Sequence, residues 1–251
     1  MRVRAVVVGA SSGLGRCIGI GLAQRGASVA LMARRLDKLE TAVGEAGDDA
    51  HAIECDVTDT DSCATAIDKA AAALGGIDAV VYTPAIGPLR RLVDTDADTW
   101  QRVFATNVTG AALVTAAALP HLQASHGRAV YLSSVSASQT APWPGLGAYA
   151  VSKAALDKLI EAWRVEHPEI GFTRMVVGDC AGGEGDGMTQ FTETWDPDLA
   201  GELVTDWIAK GLIAGCFIDV DELAGAVDSV IRSGASLSLP SVVVAPRPPA
   251  G

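Results

Sequence analysis

The chain has 251 residues, 49% of them apolar and 5% aromatic, and a formal net charge of −11. That length can bury one full hydrophobic core, and many alanines with few aromatics suit helices stacked on a sheet. The acidic balance argues against nucleic acid or an anionic membrane as a main partner. Five cysteines, at positions 17, 55, 63, 180 and 216, make an odd count without C-x-x-C spacing, so a reducing, cytoplasmic setting is expected. The four histidines form no metal-type cluster, and no metal is expected. Met1-Arg2-Val3-Arg4 runs into a short strand without a signal-peptide pattern. No uninterrupted apolar run reaches the roughly twenty residues of a membrane span.

Strand and helix signals alternate along the chain. Val3 to Val8 is a β-branched run ending at Gly9. Leu14, Cys17, Ile18 and Leu22 then recur at helical spacing, and Gly26 closes that helix. Val29 to Met32, Ala52 to Cys55 and Ala79 to Tyr82 read as the next three strands. A long helix is predicted from Trp100 to Gln123, then a strand from Ala129 to Leu132. Another helix covers Ala148 to Glu166, followed by strands over Thr173 to Val177 and Ser241 to Ala245. This alternation predicts an α/β fold: a single doubly wound Rossmann-type domain over residues 1–251, with about seven parallel strands and helices on both faces. Residues 182–215 break the pattern. Glycines 182, 183, 185 and 187, then Met188, Phe191, Trp195 and Trp207, suggest a lid, with a plain surface insertion as the alternative.

Two local patterns carry chemistry. Gly9-Ala-Ser11-Ser12-Gly13-Leu14-Gly15 lies between the first strand and the first helix. Such a turn brings backbone amides and a helix N-terminus to a pyrophosphate, with glycines where the chain turns tightly. Tyr149 and Lys153 are four residues apart, so a phenol and an ammonium share one helix face. A nearby ammonium favours the phenolate, and the pair can then exchange a proton with an alcohol or carbonyl oxygen. At the end of the second strand stands Ala33-Arg34-Arg35. An acidic residue there would hold the ribose hydroxyls of NAD, whereas Arg34 can pair with a 2′-phosphate; NADP is therefore favoured over NAD.

The glycine spacing G-x-x-x-G-x-G, with Asp56, Asn107, Ser134, Tyr149 and Lys153 in that order, resembles the short-chain dehydrogenase/reductase family over about the first 180 residues. The resemblance implies a catalytic group of Asn107, Ser134, Tyr149 and Lys153. Tyr149 would be the general acid or base. Lys153 would lower its pKa and hold the nicotinamide ribose, Ser134 would bind the substrate oxygen, and Asn107 would hold a water linked to Lys153. Ser136 is the alternative to Ser134, and a surface asparagine the bland reading of Asn107. Gly9, Ser11, Ser12, Gly13, Leu14, Gly15, Arg34, Asp56, Val57, Tyr149 and Lys153 would bind the cofactor. Asp56 would cap the adenine ring, or equally cap the next helix.

Three departures from the family stand out. Tyr82-Thr83-Pro84-Ala85 replaces Asn-Asn-Ala-Gly, and Pro84 offers no amide hydrogen. Gly178-Asp179 replaces Pro-Gly, and the chain's end carries Pro240, Pro246, Pro248 and Pro249 instead of a glycine-rich finish. The expected function is NADP-dependent interconversion of a carbonyl and a secondary alcohol on a medium-sized apolar small molecule. The alternatives are a non-catalytic NADP-binding or regulatory protein and a cofactor-retaining epimerase or dehydratase. By resemblance a homo-oligomer is expected, a dimer or tetramer. Ala111, Ala112, Ala116 and Ala118 would either permit close packing between copies or face the sheet.

Overall fold

The computed structural model describes residues 2–180, 191–213, 215–234 and 236–247. In chain order these form β1 (Arg4–Val8), α1 (Gly13–Gln24), β2 (Ser28–Ala33), α2 (Leu36–Ala46), β3 (Ala50–Glu54), α3 (Thr60–Leu74) and β4 (Ala79–Tyr82). Next come α4 (Ala97–Phe104), α5 (Gly110–Ser125), β5 (Arg128–Ser134), the short α6 (Val135–Ser138) and α7 (Gly147–Glu166). The remainder is β6 (Gly171–Val177), α8 (Pro197–Ala209), α9 (Val220–Ile231) and β7 (Ser241–Val244). The predicted strands are all present, with ends shifted by one or two residues.

The seven strands form one sheet in the order β3-β2-β1-β4-β5-β6-β7, and each neighbouring pair is parallel. Parallel pairing forces each connection over a face, so both faces are covered and the side chains of the inner strands are buried on both sides, whereas the edge strand β7 stays partly exposed. Val7 and Leu31 point to the layer holding Ile18, Leu39 and Leu223 of α1, α2 and α9. Their neighbours Val6 and Met32 point to the layer with Ile67, Val114 and Leu156 of α3, α5 and α7. Each fully buried side chain of this size contributes about 1.5–3 kcal/mol. The order reverses between β1 and β4, which opens a crevice at the carboxyl ends of the strands.

The helix predicted over Trp100–Gln123 is present and runs from Ala97 to Ser125, but not as a regular α-helix throughout. A π turn at Ala105–Thr109 separates α4 from α5. The Tyr82 hydroxyl donates to the Thr106 carbonyl at 2.6 Å. Gly110 makes room for it, because a Cβ there would lie 2.6 Å from the Tyr82 oxygen. By length and composition the run Ala97–Ser125 could cross a membrane. Here it is a core helix, with Ala111, Val114, Ala118 and Leu122 fully buried against the sheet. The alanine face is therefore divided: Ala111 and Ala118 face the core, whereas Ala116 is exposed.

Candidate active site

A cleft of about 400 Å³ runs along the carboxyl ends of the strands, from Gly9 and Arg34 at one end to Tyr149 and Phe191 at the other. At its first end, Gly9 and Gly13 adopt φ of 83° and 54°, a region that favours glycine. A Cβ on Gly9 would come within 2.6 Å of Thr83 Oγ1, and one on Gly15 would strike both Thr83 and the Gly9 carbonyl. Thr83 fastens this turn: its hydroxyl and its amide both donate to Val8 O, at 2.6 and 3.2 Å. A bond from β4 to the end of β1 is thus retained beside Pro84.

Ser12 is the N-cap of α1, yet its hydroxyl makes no cap bond. It accepts instead from Arg35 Nη2 at 2.8 Å, and Ser11 Oγ accepts from the same nitrogen at 2.9 Å. The first amides of α1 therefore carry no side-chain cap, an arrangement that fits an anionic phosphate. Arg34 is exposed at the cleft's lip. Arg35, not singled out in the sequence, reaches the turn itself. The paired Arg34-Arg35 was the available signal, but only the backbone path of α2 shows which one points inward.

Asp56 and Val57 line the adjoining wall. The Asp56 carboxylate accepts from Thr58 N and Thr58 Oγ1 at 2.9 and 2.7 Å, and these bonds, aided by Arg34, hold its pKa low against partial burial. It does not cap α3. Asp59 does, accepting from Ser62 N at 2.6 Å.

At the other end, Ser134 closes β5 and Tyr149 stands in the first turn of α7. The Ser134 hydroxyl lies near the tyrosine and acts to lower its pKa. Ser136 lies behind it, with the two serine oxygens 2.9 Å apart. Burial pushes the Tyr149 phenol up to about 12, and Ser134 opposes this only in part. The expected lowering by Lys153 is therefore not what dominates: the ammonium sits 5.7 Å from the ring centre and donates to Leu132 O at 2.6 Å. Burial drives Lys153 down to about 8, with Asp157 pulling upward.

Asn107 is fully buried in the π turn, which overturns the surface reading. Its Oδ1 accepts from Ile86 N at 2.8 Å, and Nδ2 donates to Ile86 O and Ser152 Oγ, both at 2.9 Å. The amide thus clamps the Ile86 loop onto α7, leaving one Oδ1 lone pair for any further donor.

An apolar wall covers Tyr149. Phe191 meets its ring edge-on at 5.0 Å; Trp195 lies 5.7 Å from Phe191, and Trp207 6.0 Å from Trp195. Trp143, from the loop before α7, lies 5.1 Å from Trp207. Trp195 donates to Gly87 O at 2.8 Å and Trp207 to Pro144 O at 2.9 Å, which ties this layer to the cleft's rim. Gly182, Gly183, Gly185, Gly187 and Met188 of the expected lid, like Pro248 and Pro249, lie outside the described residues. Asp179 borders the cleft and its carbonyl accepts from Ile218 N at 2.8 Å.

A doubly wound sheet with a glycine turn at its switch point defines a dinucleotide-binding fold. The short chain dehydrogenase family model matches residues 3–195, and the chain belongs to that family. It is 39% identical over 168 residues to a short chain dehydrogenase of Pseudocercospora fijiensis, covering 64% of this chain and 54% of that protein. It is 31% identical over 237 residues to 11-beta-hydroxysteroid dehydrogenase A of Arachis hypogaea, covering 90% of this chain and 64% of the other. Against several such curated relatives the chain spans about half of their length. A short-chain type dehydrogenase/reductase structure from Mycobacterium marinum superposes with a TM-score of 0.81 at 28% identity, covering 97% and 94% of the two chains.

Proposed function

We propose that this chain is an NADP-dependent oxidoreductase that interconverts a carbonyl and a secondary alcohol on a medium-sized apolar substrate, one bearing a ring. The observation that carries this reading is convergence: Ser134, Tyr149 and Lys153 meet at one end of a cleft whose other end holds the glycine turn and two arginines. When bound, the nicotinamide supplies or accepts the hydride. A phenol held neutral up to about 12 carries the proton needed to protonate a carbonyl oxygen in reduction. In this reading the Ser134 hydroxyl shares that oxygen and Lys153 holds the ribose. Arg34 and Arg35 flank the place for a 2′-phosphate, where guanidinium pairing favours NADP. The wall of Phe191 and Trp143 excludes water and suits an apolar ring. The hydroxysteroid in the name of one relative supports that choice.

A non-catalytic NADP-binding role is favoured only by Pro84 and Asp179 on the cleft wall. We also propose a homo-oligomer, a dimer or tetramer, working in the cytoplasm; the exposed Ala116 face of α5 supports the first and five unbridged thiols suit the second. The test is a titration with NADPH and NADH followed by nicotinamide fluorescence, then a panel of cyclic and small polar ketones. NADPH should bind at least about tenfold more tightly, a difference of about 1.4 kcal/mol. Tyr149→Phe should abolish turnover and leave cofactor affinity within about twofold. Turnover that survives this substitution sinks the mechanism.

A further inference from the structure

Alternating charges run from the surface of α7 to Lys153. Glu161 Oε1 lies 3.9 Å from Arg174 Nη1, and that nitrogen lies 3.4 Å from Asp157 Oδ2. The Asp157 side chain is only 7% exposed. It lies one helical turn after Lys153, as Tyr149 lies one before, so all three share a face. Lys153 Nζ donates to Leu132 O, and the next residue, Ser133, lies near the Asp157 carboxylate. Ser133 Oγ and Asp157 Oδ1 are nevertheless buried without a well-formed hydrogen bond. A buried carboxylate with one bare oxygen is a poor stabilising device, since an apolar side chain of similar volume would avoid the desolvation cost.

We propose that Asp157 is a positioning residue whose negative charge keeps Lys153 protonated and in place, with Arg174 holding the carboxylate. This rests on Lys153 having the part given to it above. Burial lowers the proton affinity of Lys153 and raises that of Asp157, while each pulls the other towards its charged form. The charged and titratable groups around the lysine are Tyr149 and Asp157 on α7. Arg174 on β6 and Glu161 act through Asp157, and Asp179 shares the cleft. β5 presents the neutral Leu132 carbonyl and Ser133 hydroxyl.

The test tracks the Lys153 side-chain signal by NMR in the whole protein carrying isotope-labelled lysine, assigned by its loss in Lys153→Arg. Asp157→Asn should lower the Lys153 pKa by about one unit, whereas Asp157→Glu should restore it to within about half of that shift. The alkaline limb of turnover should move to lower pH in the same variant, through kcat and not KM. If Asp157→Asn does not fold, Asp157→Leu removes the charge without a buried amide and should give the same shift. A folded, charge-free variant whose Lys153 pKa is unchanged overturns the proposal. The NMR readout needs no turnover, so a wild type without Tyr149-dependent activity would defeat the functional reading and still leave this one decided.

Discussion

Lys153 shows what burying an ammonium costs a fold. Its side chain is buried with a single backbone acceptor, and burial lowers its pKa from the ordinary 10.5 to about 8. A depressed lysine pKa means that, as pH falls, the unfolded chain takes up the proton first. Stability is therefore lost between about 10.5 and 8, and no more is lost below that window. Lys153→Met removes the titration. Between about pH 7 and 10 the stability of wild type relative to this variant should rise by about 2–3 kcal/mol, measured by denaturant unfolding. A difference that stays flat across the window would mean the ammonium is better solvated than its 2% exposure indicates. The identity of Lys153 was legible, because its four-residue offset from Tyr149 is a property of the sequence. Its bond to Leu132 O was not, since that depends on how α7 lies against β5. Arg35 teaches the same lesson: two adjacent arginines look alike in sequence, and the entry of the chain into α2 decides which meets Ser11 and Ser12.

At the scale of elements, the π turn is the feature that makes a helix serve the site. A π turn inserts an extra residue and rotates the rest of the helix, and such turns recur at functional positions. Here it places Asn107 where its amide grips both polar groups of Ile86 and reaches Ser152 on α7. Asn107→Ala would remove the partners of the part-buried Ile86 amide and carbonyl and one of the two bonds of the Ser152 hydroxyl, which keeps Tyr149 O, at roughly 1–3 kcal/mol for each group that stays unsatisfied. We expect a loss of about 2–4 kcal/mol overall, which for a chain of this size lowers Tm by about 4–16 °C. Tyr82→Phe, which deletes the bond to Thr106 O, should give a smaller fall of the same kind. Equal stability of Asn107→Ala and wild type in a thermal melt would show that the loop is held by other contacts. Sequence reasoning found this helix but not the π turn within it, because the run is alanine-rich and apolar nearly all round, so the apolar stripe whose shift would reveal a change of phase is missing. The strands were easier to read: both faces of a parallel sheet are buried, and β-branched runs bounded by glycines mark them plainly.

Over the whole molecule, the sheet reverses order between β1 and β4, so the site is divided between two halves of the fold. The turn after β1 and the residues after β2 contribute the glycines and the two arginines, while β5 and α7 contribute Ser134, Tyr149 and Lys153. A dinucleotide lying along the cleft would touch both halves, and any ligand that binds only the folded state stabilises it by mass action. At one hundred times its dissociation constant NADPH should add about 2.7 kcal/mol, a rise in Tm of about 5–11 °C. NADH at the same concentration should give a clearly smaller shift. In the double substitution Arg34→Ala, Arg35→Ala the two cofactors should become equal, because what separates them is a phosphate that these guanidiniums would meet. The double variant without cofactor should also melt lower, since Arg35 fastens Ser11 and Ser12. Equal shifts from both cofactors in wild type would reduce Arg35 to a brace for the turn and remove the case for NADP. No shift from either would point to Pro84 and Asp179, which line the cleft within the two segments that depart from the family's pattern. Pro84 follows β4, beside the point where the halves meet, and Asp179 follows β6 further along the same cleft, so a ligand spanning both halves would have to pass them both.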